Sequence, residues 1–213
     1  MKKTCKNLKI TENCFFVTSF MQVLHRITRE NNIMITTVSN GRSSANISDT
    51  IGMFVQTLPV VSHFTDDTIV HTMSKMQRQL LDTLSHDKYP FIRLSERHSL
   101  QLNIMISYQG EVVDKQMGFN NEPTEWVKLY LTKTKVPLSL NIIPVEGIYL
   151  LEFEYDTKLY SETDIFNLGR AIQSFINSLV SASDQQKILD VPIISKKETN
   201  ELIALGKGKE LTY

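Results

Sequence analysis

The most informative stretch of the chain is Ile51-Gly52-Met53-Phe54-Val55-Gln56-Thr57-Leu58-Pro59-Val60. Residues 53–59 are mostly strand formers that end at a proline, which predicts a β-strand stopping at that residue. Gly52 lacks a side chain and so allows another backbone segment to approach closely, while Phe54 and Val55 are bulky enough to anchor the strand. This stretch is therefore expected to be a strand with a tight backbone contact near its start.

Apolar periodicity on both sides of this stretch predicts three helices and several further strands. Thr11 is a suitable cap for the first helix, and Thr65, followed by two aspartates, for the second. The second helix should stop near Ser85, because Tyr89-Pro90 disfavours helical backbone. The predicted helices cover residues 12–30, residues 65–85 and a segment starting at Ser161; the predicted strands cover residues 33–38, 53–59, 102–108, 127–132, 137–143 and 148–155, with a loop at 114–125 and a hairpin turn at 144–147.

This order of elements indicates the fold class and a division of the chain. Helices and strands that alternate in this way favour an α/β (α+β) two-layer sandwich, with a mixed β-sheet and helices packed on one face. We expect residues 1–185 to form this unit. Residues 186–213 are polar, contain Pro192 and end near Gly206-Lys207-Gly208-Lys209, which is typical of a linker.

Composition excludes several classes of protein. The chain has 213 residues, of which 41% are hydrophobic, as in soluble globular proteins with a sizeable core. Lys plus Arg and Asp plus Glu are both 23, so the balanced charge argues against nucleic acid or membrane partners. No long apolar run or signal-like start is present, and we expect a cytoplasmic protein.

Reactive side chains form no recognisable catalytic pattern. The two cysteines, Cys5 and Cys14, are expected to be reduced structural thiols, and neither they nor the five histidines have metal-ligand spacing. Asp66-Asp67 suits a helix start better than acid chemistry. The tail at residues 206–209 lacks the spacing of a phosphate-binding loop. The residues alone therefore predict an α/β domain with no metal and no assigned catalyst.

Several segments nevertheless resemble motifs of one family. Residues 51–60 resemble the IGxFVNTLPL motif of nonribosomal peptide synthetase condensation domains, with Gln56 where asparagine is usual. His86-Asp87-Lys88-Tyr89-Pro90-Phe91 resembles HQDYPFE. Residues 38–42 are similar to the VAGR segment, residues 103–109 to VMFSYQN, and residues 190–195 to the DLPLLS segment that leads toward an adenylation domain.

Two departures from the family pattern bear on activity. The RDxSRNPL motif is reduced to residues 93–99, which puts the local loop geometry and a substrate contact in doubt. The catalytic HHxxxDG motif, which belongs to the N-terminal half of such domains, has no counterpart, since no two histidines adjoin and no Asp-Gly dipeptide occurs. The resemblance therefore implies the C-terminal half of a condensation domain, inactive as an isolated chain.

The resemblance also implies a fold, an activity and partners. The fold would be chloramphenicol acetyltransferase-like, with two similar halves that enclose a tunnel. The enzyme would form amide bonds between acyl and aminoacyl thioesters, in the biosynthesis of peptide antibiotics or siderophores. No cofactor would bind directly, because the substrates stand on the 4′-phosphopantetheine of carrier proteins. The partners would be the N-terminal half, peptidyl carrier proteins and an adjoining adenylation domain.

Ten residues of these motifs are candidates for the substrate tunnel or its support. We expect a mainly structural role for most of them. No catalytic or metal-binding residue is assigned. The candidates are Gly41, Arg42, Gly52, Phe54, Gln56, Thr57, His86, Pro90, Phe91 and Gln109.

Three alternatives differ from this interpretation. A degenerate condensation domain could act as a non-catalytic module that binds carrier proteins, which the shortened residues 93–99 and Gln56 favour modestly. An epimerisation domain would carry a sequence resembling GWFTxxYP where this chain has residues 52–59. A free-standing acyltransferase would need a catalytic histidine from this chain.

Overall fold

The computed structural model describes residues 1–42, 50–110 and 134–206. These residues fall into two compact units, each described here by itself. Unit 1 comprises Met1–Ile33, His63–Arg78 and Thr163–Tyr213, and unit 2 comprises Met34–Ser62 and Gln79–Glu162. In chain order, the α-helices are α1 (Lys2–Leu8), α2 (Glu12–Thr28), α3 (Ile69–Ser85), α4 (Phe91–His98), α5 (Glu162–Ser181) and α6 (Lys196–Gly206).

The helices of unit 1 bury most of the apolar residues that the periodicity singled out, with Ile27 near the end of α2 exposed. Thr11 caps α2 by accepting a hydrogen bond from the Cys14 N–H at 3.1 Å, and the helix ends where Arg29 adopts a left-handed conformation. The predicted helix at residues 12–30 is thus confirmed. On α5, all five predicted residues of the apolar face are buried: Ile165, Leu168, Ile172, Phe175 and Leu179.

A half-buried arginine anchors the segment that follows α5. The Arg26 guanidinium donates to the backbone carbonyls of Ile188 and Val191, and it lies 5.1 Å from the centre of the Phe175 ring. Desolvation lowers the pKa of Arg26. Ile188, in a short 3-10 helix, and Val191 are fully buried. The first residues of the predicted linker therefore pack into unit 1, whereas α6 has no buried residue.

Both cysteines are free and buried in unit 1, as expected of structural thiols. Burial raises the pKa of the Cys14 thiol to about 12 and that of Cys5 to about 11, from an ordinary value of 9.0. Between pH 9 and these values, the unfolded chain has lost thiol protons that the folded chain still binds. The contribution of the thiols to stability is complete below pH 9 and is lost as pH rises through this window.

We therefore expect the free energy of unfolding to fall between pH 9 and pH 12, and urea unfolding at several pH values measures it. A Cys5→Ala, Cys14→Ala variant controls for the tyrosines and lysines that titrate in the same range. The variant should lose less stability over this interval than the unmodified chain. An equal loss in both proteins would contradict the prediction.

Unit 2 contains a five-stranded mixed sheet in the order β2-β1-β3-β4-β5. β1 pairs with β3 and β3 with β4 in parallel, whereas β4 and β5 are antiparallel. Ile35, Ile106, Leu140 and Ile142 have no exposed surface and mark the core at the sheet. The strands are β1 (Asn32–Ser39), β2 (Gln56–His63), β3 (Ile104–Tyr108), β4 (Leu138–Val145) and β5 (Ile148–Tyr155).

The hairpin of β4 and β5 turns where the sequence indicated. Val145 pairs with Ile148, so the loop consists of Glu146 and Gly147. Both loop residues have positive φ, 47° and 87°, as a tight two-residue hairpin turn requires. The predicted strands at 102–108, 137–143 and 148–155 are confirmed within a few residues at each end.

The strand predicted at residues 53–59 is displaced by several positions. β2 begins at Gln56 and continues to His63, so Pro59 lies inside the strand and does not end it. β2 is an edge strand of the described sheet, and an edge position tolerates proline because one side of the strand forms no ladder hydrogen bonds. The proline was therefore wrongly interpreted as a strand end.

Among the described residues, three short α-helices were not predicted. α4 follows directly after Pro90, in the stretch interpreted as a reduced loop motif. It has eight residues, none of them buried, so it offers little apolar periodicity to detect. α1 and α6 were missed as well. The strand predicted at 127–132 and the loop at 114–125 lie outside the described residues.

Candidate functional site

The turn after β1 brings two motif segments of unit 2 into contact. Gly41 has a φ of +66°, and a Cβ at this position would lie 1.9 Å from the carbonyl oxygen of Phe54. The Gly41 N–H donates to Ser39 Oγ at 3.1 Å, and the Arg42 N–H donates to Asn40 Oδ1 at 3.0 Å. Only glycine suits both this backbone conformation and this approach.

Arg42 holds the segment at residues 50–54 by its side chain. Its Nη1 donates to the Thr50 carbonyl at 2.8 Å, and its Nη2 to the Gly52 carbonyl at 3.1 Å. The guanidinium also lies 4.6 Å from the centre of the Phe54 ring, a cation–π geometry. A planar group with several fixed donors is suited to bind two carbonyls and a ring at once. The Arg42 side chain is thus a support of this segment.

The segment that Arg42 holds exposes large apolar side chains. Ile51 is 100% exposed, Met53 89% and Val55 53%. Adjacent exposed apolar residues of this size are characteristic of surfaces that contact another protein or a ligand. We call Ile51, Met53 and Val55 the apolar segment.

The second motif is joined to the first by a buried carboxylate. Asp87 is only 5% exposed, and its Oδ2 accepts a hydrogen bond from Ser39 Oγ at 3.0 Å. Ser39 is the residue whose hydroxyl also accepts from Gly41. The motifs at residues 38–42 and 86–91 therefore meet through side chains.

The neighbouring His86 is exposed, and its Nδ1 lies close to two oxygen atoms. Its Nδ1 lies 2.9 Å from the Asp82 carbonyl oxygen and 2.9 Å from Ser85 Oγ. Because a carbonyl oxygen can only accept, the geometry assigns the proton of the neutral ring to Nδ1. Nε2 then carries the lone pair and can accept a hydrogen bond.

His86 lies at the edge of a cleft of about 480 Å³ in unit 2. β2, the end of α3 and α4 form its walls. Leu58, Pro59 and Leu94 supply apolar surface, while a carboxylate, an imidazole and a guanidinium supply polar groups. Its lining consists of Leu58, Pro59, Asp82, Thr83, His86, Tyr89, Leu94 and Arg97.

Comparison with known proteins identifies the family. The model of the family described as "Condensation domain" matches residues 1–203. The chain belongs to the condensation domain family. The segments built around Gly41 and Asp87 are thus parts of a condensation domain.

Curated relatives of this condensation domain chain are much longer proteins. It is 24% identical over 95% of its length to bacitracin synthase 2 of Bacillus licheniformis, of which it covers 8%. A linear gramicidin synthase of Brevibacillus parabrevis is 23% identical over 92% of this chain, which covers 4% of that relative. The chain thus spans less than a tenth of the length of these two relatives.

Solved structures of condensation domains share the fold. A four-domain nonribosomal peptide synthetase bound to AMP and glycine aligns with 92% of this chain and 16% of its own, with a TM-score of 0.78 and 20% identity. The first condensation domain of the CDA synthetase aligns with 91% of this chain and 45% of its own, with a TM-score of 0.73 and 14% identity. The predicted α/β fold with a mixed sheet is confirmed.

The predicted site residues fall into separate places in the condensation domain chain. Gly41, Arg42, Gly52 and Phe54 form one contact group. His86 lines the cleft, Pro90 is the cap of α4 and Phe91 its first residue. Gln56 and Thr57 begin β2, and Gln109 follows β3, where its N–H donates to the Ile142 carbonyl at 3.0 Å. Their roles in a substrate tunnel stay predictions.

Sequence reasoning missed the two residues that connect the motifs. Ser39 and Asp87 stand inside the quoted motif segments, so the resemblance contained the signal. Neither was singled out, because a hydroxyl and a carboxylate in short polar motifs give no indication of burial. Their contact becomes evident only once the chain is folded.

The chain contains one histidine-aspartate pair with the spacing HxxxD. His63 and Asp67 stand in the order HxxxD, a pattern that an acyltransferase could use. In unit 1, however, His63 Nδ1 lies 2.9 Å from Asn32 Oδ1, while Asp67 bonds Thr65 and His71. The two side chains thus have other partners, which argues against a free-standing acyltransferase built on this pair.

The described residues also bear on metal sites and membrane spans. Within residues 1–42, 50–110 and 134–206, no group of three or more His, Cys, Asp or Glu side chains could hold a metal ion. None of the helices in the same ranges has the length and apolar character needed to cross a membrane.

Proposed function

We propose that this chain is the C-terminal half of a nonribosomal peptide synthetase condensation domain. It would provide scaffold and tunnel wall for amide bond formation between carrier-protein-tethered acyl and aminoacyl thioesters. The observation that carries this is the alignment of 91% of this chain with only 45% of a solved condensation domain chain. The motif segments occur in family order, and they include those that resemble the C-terminal part of such domains.

The proposed reaction defines what this half contributes. The amine nitrogen of the acceptor attacks the thioester carbonyl carbon of the donor, an amide C–N bond forms, and the thiol leaves as the C–S bond breaks. The amine must also lose a proton, a task for which histidine has a suitable pKa. The chain lacks the HHxxxDG motif, so this task falls to the other half. The contact group around Arg42 would shape the wall along which the substrates lie.

The apolar segment is consistent with a missing partner half. Ile51 and Met53 are almost fully exposed although Arg42 holds their backbone in place. A segment whose backbone is held by hydrogen bonds and whose side chains are apolar and exposed suits a preformed contact. We propose the N-terminal half as its partner, with carrier proteins and an adenylation domain as further partners of the whole enzyme.

The proposal predicts the size and activity of the native polypeptide. An antibody raised against this chain should detect, in extract of the source cells, a species several times heavier than 24.4 kDa. That species, purified and given carrier-bound donor and acceptor thioesters, should form an amide that mass spectrometry detects. Substitution of the upstream histidine pair should abolish amide formation.

A species of 24.4 kDa alone would contradict the proposal. The remaining interpretation would then be a non-catalytic module derived from a condensation domain. Binding of a loaded carrier protein to the isolated chain, without amide formation, would support that module.

A further inference from the structure

Asp87 is a charged residue buried among the described residues of unit 2. Carboxylates are rarely buried to 5% exposure unless they are hydrogen-bonded, because desolvation of the charge is costly. The hydrogen bond from Ser39 Oγ at 3.0 Å meets this need. His86, one residue earlier, is exposed and lines the cleft. His86 and Asp87 are adjacent in the chain but face different surroundings. Asp87 is the one whose carboxylate contacts the turn after β1.

Ser39 connects the Asp87 carboxylate to the backbone of the turn after β1. Its hydroxyl accepts from the Gly41 N–H at 3.1 Å and donates to Asp87. An N–H can only donate and a carboxylate can only accept, so the direction of both hydrogen bonds is fixed. The three groups form a continuous chain in which each bond polarises the next.

The turn that this chain fixes also determines the place of the apolar segment. Gly41 approaches the Phe54 carbonyl so closely that no Cβ fits, and Arg42 reaches the carbonyls of Thr50 and Gly52. A rotation of the Gly41 peptide would therefore displace Arg42 and, with it, both of these hydrogen bonds. Residues 50–54 depend on the orientation of one peptide unit.

We propose that Asp87 is a positioning residue, which holds the turn at Gly41 and Arg42 through Ser39 and so sets the conformation of residues 50–54. The proposal rests on the proposed function in one respect: the turn it holds would form part of the tunnel wall. Asp87 itself would not touch the reacting atoms. Its role would be to keep the wall in one conformation while substrates pass.

Amide hydrogen exchange of the whole chain, followed by NMR, tests the positioning role. Asp87→Ala and Ser39→Ala should each raise the exchange rate of the Gly41 amide at least about tenfold, as expected on loss of a charge-assisted hydrogen bond. The amides of residues 50–54 should exchange faster as well. Asp87→Asn keeps an accepting oxygen and should restore most of the protection. Asp184→Asn, a change at an exposed carboxylate, is the matched control and should alter none of these rates.

The pattern of exchange separates positioning from a general loss of stability. In a positioning role, the Ile106 and Leu140 amides in the sheet exchange as before. The proposal is overturned if the Gly41 amide exchanges at its original rate in both alanine variants, or if Ile106 and Leu140 accelerate by the same factor. Should Asp87→Ala not fold, Ser39→Ala carries the same test. Hydrogen exchange does not depend on catalysis. If the native polypeptide formed no amide product from carrier-bound thioesters, the proposed function would be refuted, but the hydrogen-exchange result would still stand.

Discussion

Gly41→Ala is expected to lower the free energy of unfolding by about 3 kcal/mol. A left-handed backbone alone costs a residue with a Cβ about 1 to 2 kcal/mol. The Cβ would also lie 1.9 Å from the Phe54 carbonyl oxygen, so that one of the two backbone segments must move. Urea unfolding of the variant and of the unmodified chain measures the difference.

Gly147 provides a matched control for this substitution. It too has a positive φ, 87°, but nothing lies within 4 Å of a Cβ built on it. Gly147→Ala should therefore cost only the left-handed conformation, about 1 to 2 kcal/mol. Equal losses in the two variants would show that residue 41 and Phe54 do not approach as closely as described.

Arg26→Ala is expected to cost about 3 kcal/mol, in the range for losing two hydrogen bonds from a charged, partly buried donor. The carbonyls of Ile188 and Val191 would lose the guanidinium donor, although Ile188 would keep its hydrogen bond from the Val191 N–H, and the Phe175 ring would lose the guanidinium next to it. Limited proteolysis should then cut near residues 186–191, which are expected to resist cleavage in the unmodified chain. Urea unfolding measures the loss of stability.

Two further variants define the role of this arginine. Arg26→Lys should recover only part of the loss, because an ammonium group cannot reproduce the planar fork that reaches both carbonyls. Arg78→Ala removes an exposed arginine of the same unit and should change stability by less than about 0.5 kcal/mol. Similar losses for Arg26→Ala and Arg78→Ala would contradict the anchoring role.

Helices and turns were predicted best from the sequence where a local pattern of residues determines the structure. The five buried residues of α5 recur at helical intervals, and the hairpin contains Glu146-Gly147, whose glycine favours positive φ. Both features depend on residues close together in the chain. They could be predicted without knowledge of any tertiary contact.

Features that depend on tertiary position were not predictable. Pro59 lies inside a strand because β2 is at an edge of the sheet, and edge position is a property of the assembled sheet. α4 has eight residues and none buried, so its helical pattern is too short to stand out. For the candidate site, the motifs located Gly41 and Arg42, but the link from Asp87 to Ser39 joins side chains of distant segments.

Unit 1 is assembled from segments far apart in the chain, which has a consequence for biosynthesis. Phe16 and Phe20 of α2 leave the ribosome before Phe175 and the rest of α5, which are made more than a hundred residues later. During this interval, the nascent α2 has apolar side chains but not all of its final neighbours. Such exposed surface is what chaperones bind and what leads to aggregation. During the period between translation of α2 and translation of α5, the newborn chain is thus vulnerable to aggregation.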